Sequence, residues 1–179
     1  MKAVLGFLFV FLFGFVGENA MAQISDINSA INKAGRERML SQRMAKAYFQ
    51  IGQGVEVERS KKVLDASVMA FDRQLVELKN YAPTPEIKAT YVSLEKAWLD
   101  YKDYLIGKAS SPENGRKVLA LSEDVLALAQ QGTVQLEKQS ASTAGHLVNL
   151  SGRQRMLSQR MAKFYQATAW GVADANGAA

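Results

Sequence analysis

Cysteine is absent from the chain, and histidine occurs once, at His146. Thiol chemistry, disulfide cross-links, Cys/His zinc sites and a histidine-centred triad drop out with them. Proline occurs three times, each time at the edge of an apolar-periodic stretch rather than inside one. Alternating, strand-like segments are also missing, so the fold class reads as all-α. Acidic residues are in deficit: 17 Asp and Glu stand against 22 Lys and Arg, a net charge of +5. That balance favours anionic partners without naming one. No acid–base pair or activated nucleophile can be assembled from the remaining residues. The sequence therefore points away from an enzyme and calls for no cofactor and no metal.

The one long apolar run lies at the start. Lys2 supplies a positive end, residues 3–16 are apolar residues and glycines with five Phe among them, and Ala20-Met21-Ala22 is a small-x-small cleavage site. Residues 1–22 thus read as a signal peptide, and the mature chain starts near Gln23. The run is shorter than the roughly 20 residues that span a bilayer. No later segment is apolar enough to do so, and the product is expected to be periplasmic or secreted. Export disfavours nucleic acid as a partner. An exported chain without cysteine is held together by packing alone.

Residues 23–140 divide into four amphipathic helices. The first covers residues 24–51 and stops at Gly52-Gln53-Gly54. The second, 55–80, carries Leu64, Val68, Phe71, Leu75 and Leu78 on one stripe. The third opens with Thr84, Pro85 and Glu86, an N-cap, a first-turn proline and an acid in the first turn. Its stripe is Ile87, Tyr91, Leu94, Trp98, Tyr101 and Leu105, and Gly107 ends it. The fourth restarts with Ser111, Pro112 and Glu113, and its stripe includes Val118, Leu121, Val125 and Leu128. Short connections make sequential helices antiparallel, so the pattern predicts an up-down four-helix bundle. Residues 130–145, with two Gly and many Ser, Thr and Gln, read either as a weak continuation or as a break. Residues 141–179 form a C-terminal segment with a further helix and a frayed tail. That helix has three readings open: it docks on the bundle, it opens a second, truncated unit, or a second subunit covers it.

The reason to single out that helix is a repeat. Residues 36–46 read Arg-Glu-Arg-Met-Leu-Ser-Gln-Arg-Met-Ala-Lys, and residues 153–163 match them at ten of eleven positions. Widened to 31–48 against 148–165, thirteen of eighteen positions agree, including Asn32/Asn149 and Gly35/Gly152. One structural unit is used twice. In the first copy Arg38 sits on a seam of Ile31, Ala34, Ser41 and Ala45. In the second, Arg155 sits among Val148, Ser151, Ser158 and Ala162. Small neighbours let another helix come close and leave room beside a guanidinium.

A buried, unpaired Arg costs several kcal/mol. Each motif carries four cations, and only Glu37 is acidic, because the matching position is Gln154. Two readings follow. Arg38 and Arg155 converge across a helix seam and grip a small planar oxyanion, with Arg36, Arg43, Arg153 and Arg160 adding positive charge and Gly35 and Gly152 exposing backbone. Alternatively the arginines pair with carboxylates of neighbouring helices, for which Asp65, Asp72, Glu77, Glu95, Asp100, Asp103 and Glu123 are available. The chain is then a structural or interaction module, with a homodimer or an envelope protein as partner. Met39, Met44, Met156 and Met161 read as core filling, and His146 as a solvated residue.

The motif Asn-x-x-Gly-Arg-x-Arg-Met-Leu-Ser-Gln-Arg-Met-Ala-Lys, present at 32–46 and 149–163, resembles the signature of the PilJ-type sensory domain. That domain is the extracytoplasmic N-terminal part of type IV pili methyl-accepting chemotaxis transducers. The motif is similar, more distantly, to the periplasmic domain of nitrate/nitrite sensor kinases. The resemblance implies a four-helix bundle and a sensory, ligand-binding role without an output half of its own. In the nitrate sensors the Arg before Met holds the anion at a dimer seam, with help from backbone near the Gly; carried over residue by residue, the resemblance implicates Arg38 with Gly35, and Arg155 with Gly152.

Overall fold

The computed structural model of the chain describes residues 24–173. Residues 1–22, read from the sequence as a signal peptide, and the end of the tail lie outside the described residues. Five helices follow one another: α1 (Ile27–Gly52), α2 (Val57–Tyr81), α3 (Pro85–Gly107), α4 (Pro112–Ser140) and α5 (Thr143–Ala169). No strand occurs among the described residues.

Helix boundaries follow the caps. Asp26 rather than Ile24 sets the start of α1, because its carboxylate accepts from the backbone of Asn28 at 2.9 Å and of Ser29 at 3.0 Å. These bonds consume two of the four orphan N–H groups of a helix start. The Ser29 hydroxyl and backbone hold the Asp26 carboxyl below its usual range. Between α1 and α2, Gly54 and Glu56 both take positive φ, 73° and 43°. That turn delays α2 to Val57. Thr84 and Ser111 cap α3 and α4 as their spacing predicts, each with a proline in the first turn. Residues 130–140 continue α4. The break comes at Ala141, at φ 48°, after which the Ser142 hydroxyl accepts from the Gly145 N–H and starts α5.

The first four helices form the up-down bundle. α1 is its hub, packed against α2, α4 and α5, while α3 lies diagonally across and meets α4 and α2. Phe71, Trp98 and Tyr101 fill the centre, with Phe71 and Trp98 ring centroids 4.3 Å apart. The Trp98 indole N–H donates to Asp72 at 2.7 Å, and the Tyr101 hydroxyl to the Ser41 carbonyl at 2.7 Å. Both polar ends are therefore satisfied in the interior.

α5 docks on the bundle, against α1 and the edge of α4. Its C-terminal end is pinned by Trp170, whose ring lies against Phe49 at 5.9 Å and Tyr48 at 6.4 Å. The indole occupies a slot between two glycines. A Cβ on Gly52 would fall 2.2 Å from the ring, and one on Gly115 2.8 Å from it. Lys163 fastens the middle of α5. It is fully buried, donates to the Ser122 hydroxyl at 3.0 Å, and pairs with Glu123 on α4. Burial lowers its pKa to about 8, against the raising effect of Glu123.

Candidate functional site

The repeat explains how α5 sits. α1 and α5 run parallel, and the two copies of the motif lie side by side in matching register. Gly35 faces Gly152 so closely that a Cβ on Gly35 would stand 3.5 Å from the Cα of Gly152, and one on Gly152 3.3 Å from the Cα of Gly35. Ile31 touches Gly145 near one end of the contact. The Gln53 side-chain amide donates to Gln166 at 3.0 Å near the other. Two small residues at a crossing let helix backbones meet, and a larger side chain on either would hold them apart.

The arginines cross this seam reciprocally. Arg38 Nη2 donates to Asn149 Oδ1 at 2.7 Å and to the Asn149 carbonyl at 3.2 Å. Arg155 Nη2 donates to Asn32 Oδ1 at 3.0 Å. Arg38 and Arg155 are matching positions of the repeat, as are Asn32 and Asn149. Each copy therefore hands its guanidinium to the asparagine of the other. Both Nη2 groups come to Gly152, 3.0 and 3.8 Å from a Cβ placed there, but each is already engaged across the seam. Amide oxygens take the donors, because Asn at the third position before Gly faces the opposite motif. Asn32 and Asn149 were visible as matched positions in the repeat, but nothing in their spacing marks them as receptors for an arginine.

The copies differ in depth. Arg38 is fully buried and also donates through Nη1 to Gln130 of α4 at 2.5 Å, while its Nε has no partner. Burial is the largest cause of its lowered pKa, about 10, and the neighbouring Arg153 and Arg155 push in the same direction. Glu137 acts the other way at one remove. It accepts from the Asn149 amide and lies 2.6 Å from His146 Nδ1. Arg155 and Arg153 are exposed. Among the described residues, none of Arg38, Arg153 and Arg155 touches a carboxylate. The structural pairing reading holds elsewhere: Arg160 donates to Glu123 at 2.8 Å and Lys163 shares the same carboxylate. Of the acids open to the motif arginines, Glu123 is the one that takes the role. Arg36 is exposed and Arg43 half-buried beside Lys46 and Arg59, so neither reaches the seam with α5.

Beside Arg38 the surface opens. A groove of about 400 Å³ between α4 and α5 is lined by Gln130, Arg153, Met156, Leu157, Arg160 and Glu123. Gln130 is its floor and the link to Arg38. The cationic wall is Arg153, which among the described residues makes no hydrogen bond or ion pair.

Residues 20–133 and 136–179 match the PilJ family, type IV pili methyl-accepting chemotaxis transducer N-term. The chain belongs to this family. Its two matched segments divide within α4, ahead of the second copy of the motif on α5. No curated protein and no solved structure matches the chain. PilJ membership places it among the sensory modules of chemotaxis transducers, which are usually extracytoplasmic. Among the described residues no helix is long and apolar enough to cross a membrane.

Two further polar groups escaped sequence reasoning. Glu37 is fully buried, and among the described residues neither of its carboxylate oxygens has a partner. Burial raises its pKa well above the usual carboxyl value. The Tyr91 hydroxyl is likewise buried and unpartnered, and the nearby Glu37 adds to burial in raising it. Glu37 does lie off the Arg38 seam, as its position on the helix predicts. It faces the bundle core rather than solvent.

Proposed function

We propose that this PilJ-family module senses a small anion, a nitrate-like oxyanion or a small carboxylate, held in the α4–α5 groove. The observation that carries the reading is the cluster of Arg38, Arg153 and Arg155. Arg153 and Arg155 of the second copy lie close enough to add to burial in lowering the pKa of Arg38 of the first, and among the described residues no carboxylate pairs with any of the three. An anion on Arg153 over Gln130 relieves that repulsion and gains charge-assisted hydrogen bonds. Burial strengthens the effect, since a charge behind the groove floor is weakly screened. Arg160 serves a structural role, locked with Lys163 on Glu123, and the resemblance to nitrate sensors supports the ligand class. Binding at this point touches α4, α5 and, through Gln130, α1, so a ligand bears on the relative placement of three helices.

The test is a melting screen with nitrate, nitrite, sulfate and small carboxylates at constant ionic strength. A ligand at ten times its Kd stabilises the fold by about 1.4 kcal/mol, from mass action. The shift is expected to vanish in Arg153→Ala and to persist in Lys88→Ala, an exposed cation on α3. A flat screen across all these anions defeats the anion site and leaves a helical interaction module. We further propose that the chain is exported with its leader removed. N-terminal sequencing of the extracytoplasmic product is expected to begin near Gln23, and a full-length cytoplasmic product would contradict it.

A further inference from the structure

The α4–α5 groove has a second chemical character besides its cation. From α4 it takes Glu123, Leu126, Ala127 and Gln130. From α5 it takes Arg153, Met156, Leu157 and Arg160. Both sets follow the spacing i, i+3, i+4, i+7, which marks one face of a helix. In each set the outer two residues are polar and the inner two apolar. Arg160 meets Glu123 across the groove, so in the antiparallel pair Arg153 lies at the Gln130 end. The groove is therefore polar at both ends and apolar between them, over a length of about 10 Å at 1.5 Å per residue.

The two ends differ in what they leave free. At one, Arg160 and Lys163 share the Glu123 carboxylate, and the Arg160 guanidinium lies over the Phe164 ring at 4.9 Å. That end is closed on itself. At the other, Arg153 is exposed, and Gln130 is held in one orientation. A guanidinium has donors and no acceptor. The Gln130 amide oxygen must therefore face Arg38, whose Nη1 donates to it at 2.5 Å. The amide N–H groups of Gln130 are left for the groove that it lines. Buried Arg38 is thus a positioning residue, which makes Gln130 a donor beside Arg153.

We propose that the groove is built for a monocarboxylate with a short apolar body rather than for an inorganic oxyanion. The inference rests on the anion reading above and narrows its ligand class. The two carboxylate oxygens take N–H donors from Arg153 and Gln130. The body lies between Leu126 and Ala127 on one side and Met156 and Leu157 on the other. Nitrate meets the same donors but leaves this apolar stretch to water. The volume of about 400 Å³ is that of a site for an organic ligand, mostly apolar with a few placed polar groups. Leu157 is 37% exposed, so a ligand here covers apolar surface that the two helices do not cover themselves. The closed pair at Glu123 limits the body, because a longer chain runs onto charged groups.

Titration calorimetry of the purified chain with acetate, butyrate, hexanoate and nitrate at constant ionic strength tests this. Affinity is expected to rise from acetate to hexanoate by about twofold to fourfold for each methylene that enters the groove. Hexanoate is expected to bind more tightly than nitrate. Ala127→Asp puts a charge into the apolar stretch at an exposed position, and Leu157→Ser removes part of the facing wall. Each is expected to lower the hexanoate-to-acetate affinity ratio at least about fivefold, with helix content kept. Gln130→Glu still accepts from Arg38 but offers the ligand no donor. It is expected to weaken every carboxylate at least about tenfold without lowering the melting temperature. Loss of binding with the fold intact separates this role from a structural one, and unchanged binding overturns the donor role of Gln130. Equal affinity for nitrate and hexanoate, or a flat series from acetate to hexanoate, overturns the apolar-body inference and leaves the anion site standing. A chain-length trend that survives both Ala127→Asp and Leu157→Ser also overturns it, because the apolar contact then lies elsewhere. Absence of binding by all four removes the anion site and this inference with it.

Discussion

Glu37→Gln is expected to stabilise the fold by about 1–2 kcal/mol at pH 8, because glutamine removes the cost of protonating the buried carboxyl while leaving a polar amide in its place. Glu37 lies in the bundle core with both oxygens unpartnered. Burial raises its pKa in the folded state, so the folded chain holds a proton that the unfolded chain has released. Between the ordinary carboxyl value of 4.5 and the raised native value, the native state binds more protons. Stability must then fall as pH rises through that window. Glutamine keeps the shape and drops the titration, so the variant is expected to lose this part of the pH dependence. Chemical denaturation of both proteins from pH 4 to pH 9 measures it. Lys163 contributes with the opposite sign, because its native pKa of about 8 lies below its ordinary 10.5. Its slope is confined to the alkaline side of the range and is common to both proteins. A Glu37→Gln chain less stable than the original at every pH from 4 to 9 would contradict a raised carboxyl pKa as the source of the pH dependence.

Gly152→Leu carries the other large effect, a loss of about 3 kcal/mol or more, at the upper end for overpacking. A Cβ at this position already meets Arg38 Nη2 at 3.0 Å and the Gly35 backbone at 3.3 Å. Neither neighbour has room to yield. The Arg38 guanidinium is fixed by Gln130 and Asn149, and the Gly35 contact is backbone. A leucine therefore separates α1 from α5, and the separation also breaks the bonds from Arg38 to Asn149 and from Arg155 to Asn32. Trp170 reports the event, since its ring leaves the slot between Gly52 and Gly115 as α5 detaches. The variant is expected to show altered tryptophan emission and reduced cooperativity in denaturant. An unchanged midpoint would mean that the seam is looser than its backbone distances require.

Much of the bundle could be read from the chain. The stripe from Ile87 to Leu105 is buried throughout, and the Thr84 and Ser111 caps act where their spacing places them. Local rules suffice there, because cap and stripe residues act within a turn or two of themselves. Legibility ended where two remote segments meet. The repeat indicated two equal arginines, yet Arg38 is sealed and Arg155 is exposed, because α1 has neighbours on most sides and α5 does not. Met161 fails as core filling for the same reason, whereas its counterpart Met44 succeeds. Periodicity identifies a face that is able to pack. It does not count how many partners arrive, and one set of α2, α3 and α4 serves two motif helices.

The pairing of α1 with α5 also sets the order in which the chain can assemble. Arg38 and Arg155 are 117 residues apart, so the hub helix completes its contacts only with the fifth of the described helices. Helical bundles ordinarily fold fast because their contacts are local. Here the seam closes a loop that spans most of the chain, and the entropy of that closure comes before the contacts that reward it. Before that closure the first four helices would stand without α5. At that point Arg38 is hydrated, and the groove beside Gln130 does not yet exist.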